Sequence, residues 1–288
     1  MGCWSCECTA ASASALACDT IRPMKSSPKK RSLNARGTPS VTAVQLRDWM
    51  ETTLGASRFK DYCPNGLQVE GTRPIRRIAS GVTASLAFIH AAQAEGADAL
   101  LVHHGWFWRG EDPCLIGTRA RRIRTLIESG MHLFAYHLPL DVHPDLGNNA
   151  QLALRLGWAS DGRTGPDQLV CWHDLPQPKT SKDIASLLRR RLGQPPQAVG
   201  DLDRPISRIA WCTGAAQDMI AEAAEAGADA FVSGEISERT THAARELGIA
   251  YFAAGHHATE RFGVQALAEE AARSLGLAHR FIDDPNPV

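Results

Sequence analysis

The chain has 288 residues, with 31 Lys+Arg against 31 Asp+Glu and a formal net charge of zero. That balance argues against a dedicated nucleic-acid binder, which carries a basic excess, and no apolar run approaches the roughly 20 residues a bilayer span needs. With 44% hydrophobic and 22% charged residues, it reads as a soluble globular protein of one large or two ordinary domains.

Residues 1–40 differ from the rest. MGCWSCECTAASASALACDT is rich in Ala, Ser and Cys, and IRPMKSSPKKRSLNARGTPS is basic with Pro and Ser. No basic stretch leads into a clean apolar core, so the segment does not read as a signal peptide. It is expected to be a disordered extension, or translation from a start upstream of the true one, with Met24 as an internal candidate. Cys3, Cys6, Cys8 and Cys18 lie there, without a second Cys/His cluster nearby to complete a zinc knuckle. Cys63, Cys114, Cys171 and Cys212 are scattered and read as buried thiols of a reducing cytoplasm.

From about Ser40, VTAVQLRDWMETTL has apolar residues at helical spacing, with Thr42 and Gln45 placed for a capping box. A turn at Pro64-Asn65-Gly66 opens a short strand, Leu67 to Val69. Residues 73–104 then align without a gap to residues 204–235, an offset of 131 (204 − 73), with 13 identities in 32 positions. Each copy reads strand, helix, strand, with Gly96 and Gly227 where a helix-ending glycine belongs. A further helix and strand follow in each. This pattern predicts an α/β protein of two duplicated halves, with mainly parallel sheets flanked by helices. The halves are placed at 41–157 and 204–288, packed as one unit and joined by a connecting segment, 158–203. That segment holds one clear helix, SKDIASLLRRRLG, with Ser181 as its N-cap. No standard nucleotide-binding glycine loop is present.

Parallel α/β sheets bind ligands outside the carboxyl ends of their strands. At four such ends the sequence places His103-His104, Asp141, Glu235 and the stretch His256-His257-Ala258-Thr259-Glu260. Imidazole with carboxylate is the donor pair that suits divalent transition metals. His256 and Glu260 share a helix face if a helix starts there, whereas His257 with Arg261 is the wrong chemistry for a cation. At the Gly105 turn, His103 and His104 can diverge towards two ions, with Asp141 able to bridge. His137 and His143 flank Asp141 and are candidate hydrogen-bond partners of the ligands. His242 is a weaker candidate. His90, His132, His173 and His279 read as surface or packing residues. Trp106, Phe107 and Trp108 read as a hydrophobic wall or subunit contact, or as a stack for a substrate base.

The blocks DYCPNGLQVEG, GVTAS, GADALLVHHGWFWRGE, YHLPLDVHPDLGNNAQLA, GADAFVSGEISERTTHAA, GHHATERFGVQALAE and FIDDPNPV, in that order, resemble the Nif-three-like family. Its members commonly carry the name GTP cyclohydrolase 1 type 2 homologue. The resemblance implies two divalent metal ions per chain, with His103, His104, Asp141, His256 and Glu260 as ligands and Glu235 in the site wall. Zinc, iron, manganese, cobalt and nickel all fit such ligands. It further implies a toroidal homohexamer in the cytoplasm and a metal-dependent hydrolase acting on a nucleotide-like or phosphorylated small molecule. Glu235 or His137 is then a proton carrier. A non-catalytic metal-binding scaffold or regulatory ring is the alternative.

Overall fold

Two β-sheets carry the chain, and the sequence duplication sets the centre of each. The computed structural model describes residues 32–33 and 39–288. Cys3, Cys6, Cys8, Cys18 and Met24 lie outside the described residues. β1 (Ser32–Leu33) pairs antiparallel with β2 (Pro39–Ser40). Helix α1 (Ala43–Leu54) starts at the expected capping box: Thr42 Oγ1 accepts the Gln45 N–H at 3.2 Å and Gln45 Oε1 accepts the Thr42 N–H at 2.9 Å.

The first sheet runs in the order β13-β4-β5-β6-β3. It is built from β3 (Gly66–Val69), β4 (Arg77–Thr83), β5 (Ala99–His104), β6 (His132–Ala135) and the last strand of the chain, β13 (Ala278–Phe281). β13, β4, β5 and β6 are parallel neighbours, and β3 is an antiparallel edge. Helices α2 (Leu86–Ala94) and α3 (Gly117–Ser129) are the crossovers.

The second sheet repeats this scheme. β10 (Ile206–Trp211), β11 (Ala230–Ser233) and β12 (Ala250–Ala253) form its parallel centre. Helices α7 (Ile220–Glu225) and α8 (Glu238–Leu247) connect them. The 158–203 segment adds β7 (Gly162–Thr164), β8 (Val170–Lys179) and β9 (Gln197–Gly200), which flank that centre antiparallel. This sheet therefore has a parallel core with antiparallel edges: β8 runs against β10, β9 against β12, and β7 closes a hairpin on β8. The helix between β8 and β9 is α6 (Ser181–Leu192), and its N-cap is Thr180 rather than Ser181. Asp183 sits three residues after Thr180 and closes a capping box on it, a closure that Ser181 could not make.

The duplication persists in detail. Asp98 Oδ2 accepts the N–H groups of Arg76 and Arg77, at 2.8 and 3.1 Å. One offset of 131 further on, Asp229 Oδ2 accepts those of Ser207 and Arg208, at 2.8 and 3.0 Å. Each aspartate thus pins the start of its neighbouring strand.

Three helices remain: α4 (Leu138–Val142), α5 (Asn148–Leu156) and α9 (His256–Leu275). α9 is apolar on two sides. Ala258 and Phe262 join Ile209, Trp211 and Val232 of the second sheet, whereas Val264, Leu267 and Ala271 join Ile78, Leu101 and Phe134 of the first. One helix therefore fastens the strand ends of both sheets together.

Candidate metal centre

The expected ligands meet where β5, α4 and the start of α9 converge. β5 delivers His103 and His104 from its last two positions. They serve two different donor groups, one histidine each. Their rings lie 4.6 Å apart, and both Nε2 atoms reach one carboxylate. His103 Nε2 is 3.5 Å from Glu260 Oε1, and His104 Nε2 is 3.2 Å from Glu260 Oε2. α9 starts at His256, as its spacing predicts, and sets His256 Nε2 3.0 Å from the same Oε2. Asp141 comes from α4, not from a strand end, and its Oδ1 is 3.4 Å from His103 Nε2. Two groups result, His103/Asp141/Glu260 and His104/His256/Glu260, each with donor atoms within 4.8 Å of one another. The carboxylate common to both is Glu260, whereas the sequence pointed to Asp141 for the bridging place.

The surroundings fix which nitrogen is free. His103 Nδ1 faces the Tyr136 carbonyl at 2.9 Å, and a carbonyl only accepts. Nδ1 therefore carries the hydrogen, and the Nε2 lone pair of a neutral ring points at two carboxylates. His256 Nδ1 is likewise held by Glu235 Oε1 at 2.7 Å. Glu260 is 3% exposed, and among the described residues its Oε2 receives no hydrogen bond, although the Nε2 atoms of His104 and His256 stand 3.2 and 3.0 Å away. A lone pair facing carboxylates, beside a buried oxygen with no N–H directed at it, is the geometry a cation relieves. The residues present fit a divalent ion.

The electrostatics agree. Burial disfavours a charge on His103, but Asp141 and Glu260 outweigh it and push its pKa up to about 9. Partial burial disfavours a charge on His256, but Glu260 and Glu235 outweigh it and push it up to about 9. His104 goes down to about 4, through burial and its two histidine neighbours. Burial raises Glu260, yet the histidines around it hold it well below the usual carboxylate range.

The backbone makes room for Glu260. Gly214 has φ +69, and a Cβ there would stand 2.1 Å from Glu260 Oε1. Asn148, at the start of α5, donates to Asp141 Oδ1 at 2.8 Å and accepts from the Gly263 N–H of α9 at 3.1 Å. Sequence reasoning singled out neither residue. Gly214 meets Glu260 46 residues on (260 − 214), and Asn148 meets Gly263 115 residues on, so no local pattern marks either.

The other candidates divide. His137 borders the centre: its Nδ1 is 2.7 Å from Asp61 Oδ1, and its ring centroid is 5.0 Å from that of His103. Burial raises Asp61, but hydrogen bonds from His137 and Asn65 hold it down to about 2. His143 does not touch Asp141; its Nδ1 accepts the N–H groups of Asp145 and Leu146 and closes a local turn. His242 pairs with Glu238 on the surface. His257 and Arg261 both face Asp283 of the C-terminal tail. Trp106 is core, with its Nε1 donating to Ala84 O, and Trp108 meets the His137 ring edge-on at 5.0 Å. Cys63, Cys171 and Cys212 are buried, but Cys114 is exposed in the loop before α3.

A cavity of about 370 Å³ opens beside Asp141, His256 and Glu260, walled by Leu138, Leu169 and Met219. A smaller one, about 150 Å³, lies on the His104 and Glu235 side. No helix among the described residues is long and apolar enough to cross a membrane.

Fold and site together define a two-sheet α/β protein with a His/carboxylate cluster of metal-binding chemistry where β5, α4 and α9 meet. The model of the DUF34/NIF3 (NGG1p interacting factor 3) family matches residues 41–287. The chain belongs to that family. It is 55% identical over 241 residues to the GTP cyclohydrolase 1 type 2 homolog of Allochromatium vinosum, covering 83% of this chain and 95% of that one. It is 47% identical over 246 residues to the protein of that name in Escherichia coli K12, covering 85% and 99%. Among solved structures it resembles protein ybgI, described as of unknown function, with TM-score 0.83 and 45% identity over 86% of this chain and 100% of that one. TTHA1606 of Thermus thermophilus gives TM-score 0.78 and 33% identity over 86% and 100%.

Proposed function

We propose that the chain is a metal-dependent hydrolase of nucleotide-like or phosphorylated small molecules. His103, His104, Asp141, His256 and Glu260 would hold two divalent ions per chain. The observation that carries this is Glu260: two His/carboxylate groups share it, and its buried Oε2 has no N–H directed at it. Zinc, iron, manganese, cobalt and nickel all suit the donor set. When bound, such a pair supplies Lewis acidity and activates water at neutral pH. The chain's own residues prepare the site. The Tyr136 carbonyl and Glu235 fix the tautomers of His103 and His256, and Asn148 orients Asp141. Leu138, Leu169 and Met219 would give the substrate an apolar wall. The name of the curated relatives points to the same reaction class.

Elemental analysis of purified, tag-free protein tests the reading. Close to two ions per chain is expected. A value well below one, even after reloading with zinc, manganese or iron, removes it. Two ions without turnover of nucleotides or phosphoesters would instead identify a non-catalytic scaffold or regulatory ring. The family relationship also supports a cytoplasmic ring of six chains; light scattering that gives a monomer would remove the ring.

A further inference from the structure

α9 carries two of the five proposed ligands, His256 at its first position and Glu260 one turn on. The first turn is where a helix frays, because its leading N–H groups have no partner within the helix. The common remedy is a side-chain cap from the residue before the helix. Here that residue is Gly255, which has no side chain to offer. Nor is there room for one: its φ is +100, and a Cβ would run into Gln194 Nε2.

Residues 283–288 supply the partners instead. The His257 N–H, in the first turn of α9, donates to the Val288 main-chain oxygen at 2.9 Å. The buried His257 ring sets Nε2 2.9 Å from Asp283 Oδ1, and Arg261 Nη1 is 3.6 Å from Asp283 Oδ2. A carboxylate at that end also suits the helix dipole. The tail is itself anchored on the first sheet and its helix α2. The Ile282 N–H donates to Ser80 O at 2.8 Å, and Ser85 Oγ, the N-cap of α2, donates to Asp284 Oδ2 at 2.5 Å. Asn286 and Val288 reach the candidate centre: they line the cavity of about 150 Å³ beside His104, Glu235 and His256.

We propose that residues 283–288 cap α9 from outside the helix, and that Asp283 is thereby a positioning residue for the His104/His256/Glu260 group. The proposal rests on the metal reading above and assigns the tail to one of its two groups. His256 stands in the turn that the tail holds. Glu260 lies one turn deeper and is 3% exposed, so the His103/Asp141/Glu260 group keeps its geometry when the tail lets go.

The test uses the full chain with Asp283→Ala or Asp284→Ala, beside wild type. Hydrogen–deuterium exchange in peptides spanning the start of α9 should rise about fivefold in each variant, the worth of one helix cap. Peptides from α6 should exchange as in wild type. Zinc titration against a competing chelator should show one of two binding steps weakened about threefold or more, with the other unchanged. Asp283→Asn, which keeps an acceptor for the His257 ring, should restore most of both effects. Unaltered exchange at the start of α9 would overturn the proposal. So would faster exchange with both zinc steps at wild-type affinity, or both steps weakened equally, which is the mark of a merely structural tail. Wild-type protein that binds no zinc sinks the metal reading, and the exchange data then decide alone: a rise keeps the tail as the cap of α9, and no change removes it.

Discussion

Replacing Gly214 with alanine perturbs the candidate centre without altering any proposed ligand residue. The added Cβ would stand 2.1 Å from Glu260 Oε1, and real Cβ contacts keep at least 3.0 Å, so something must move by about 0.9 Å (3.0 − 2.1). The backbone cannot yield easily. The Gly214 N–H donates to Thr259 Oγ1 at 3.1 Å, and its carbonyl accepts from the Gly234 N–H at 2.8 Å and from Ser233 Oγ at 3.0 Å. The carboxylate must therefore move, and it belongs to both donor groups. Affinity for both ions should fall roughly 10–100-fold, the range seen when the support of a metal site is disturbed. The left-handed backbone adds its own cost of about 1–2 kcal/mol for a side chain. For a chain of this size that lowers the melting temperature by about 2–4 °C per kcal/mol. The assay is titration of the metal-free variant with manganese or zinc against a competing chelator, beside a thermal melt. A variant that melts earlier but binds both ions with wild-type affinity would refute the shared role of Glu260 and leave Gly214 as a turn residue only.

Asp141→Ala should lower metal content from about two ions to about one, because Asp141 belongs to only one of the two groups. Far-UV circular dichroism should stay unchanged, and two retained ions would exclude Asp141 as a ligand. Asp98→Ala and Asp229→Ala should each destabilise by about 2–4 kcal/mol, since each strands two backbone N–H groups. Urea denaturation that finds only one of them costly would mean the duplication is not shared in energetics. Cys114 is exposed, while burial pushes the thiols of Cys63, Cys171 and Cys212 up, Cys63 to about 12. Brief alkylation at neutral pH followed by peptide mapping should therefore modify Cys114 and spare those three; early modification of Cys212 would place it nearer solvent than described.

The candidate centre was legible in the sequence where polar residues stand in places a core has no use for. His103-His104 at the end of ADALLV is one such place. His256 and Glu260, four apart at a helix start, are another. What stayed hidden depends on distance along the chain. Asp61 reaches His137 from 76 residues away, and Asn148 links Asp141 to Gly263 across 115. No local pattern records such pairs. Which carboxylate lies between the imidazoles was equally illegible, because Asp141 and Glu260 lie on helices far apart in the chain and meet only at His103. β13 reads as a plain C-terminal strand, and nothing near it says that its partner is β4, about 200 residues earlier. Thr180 and Ser181 are both good N-caps, so only the position of Asp183 decides between them.

Divergence between the two copies explains why the centre is lopsided. The offset of 131 sets Thr83 opposite Gly214, His103 opposite Gly234, and His104 opposite Glu235. The first copy supplies imidazoles, with Thr83 Oγ1 3.1 Å from His104 Nδ1. The second copy supplies space. Gly214 admits the Glu260 carboxylate, and Gly234 admits the His256 backbone, where a Cβ would stand 2.6 Å from His256 Cα. Glu235, in the place of His104, holds His256 from outside the cluster. Beyond its third strand each copy turns into a helix that carries one carboxylate, Asp141 on α4 and Glu260 on α9. The five-residue α4 cannot fix Asp141 alone, so Asn148 ties it to α9. A second histidine pair at Gly234 and Glu235 would fill the space that the His256 backbone occupies. One pair opposite a Gly-Glu pair leaves room for a single carboxylate to reach every imidazole.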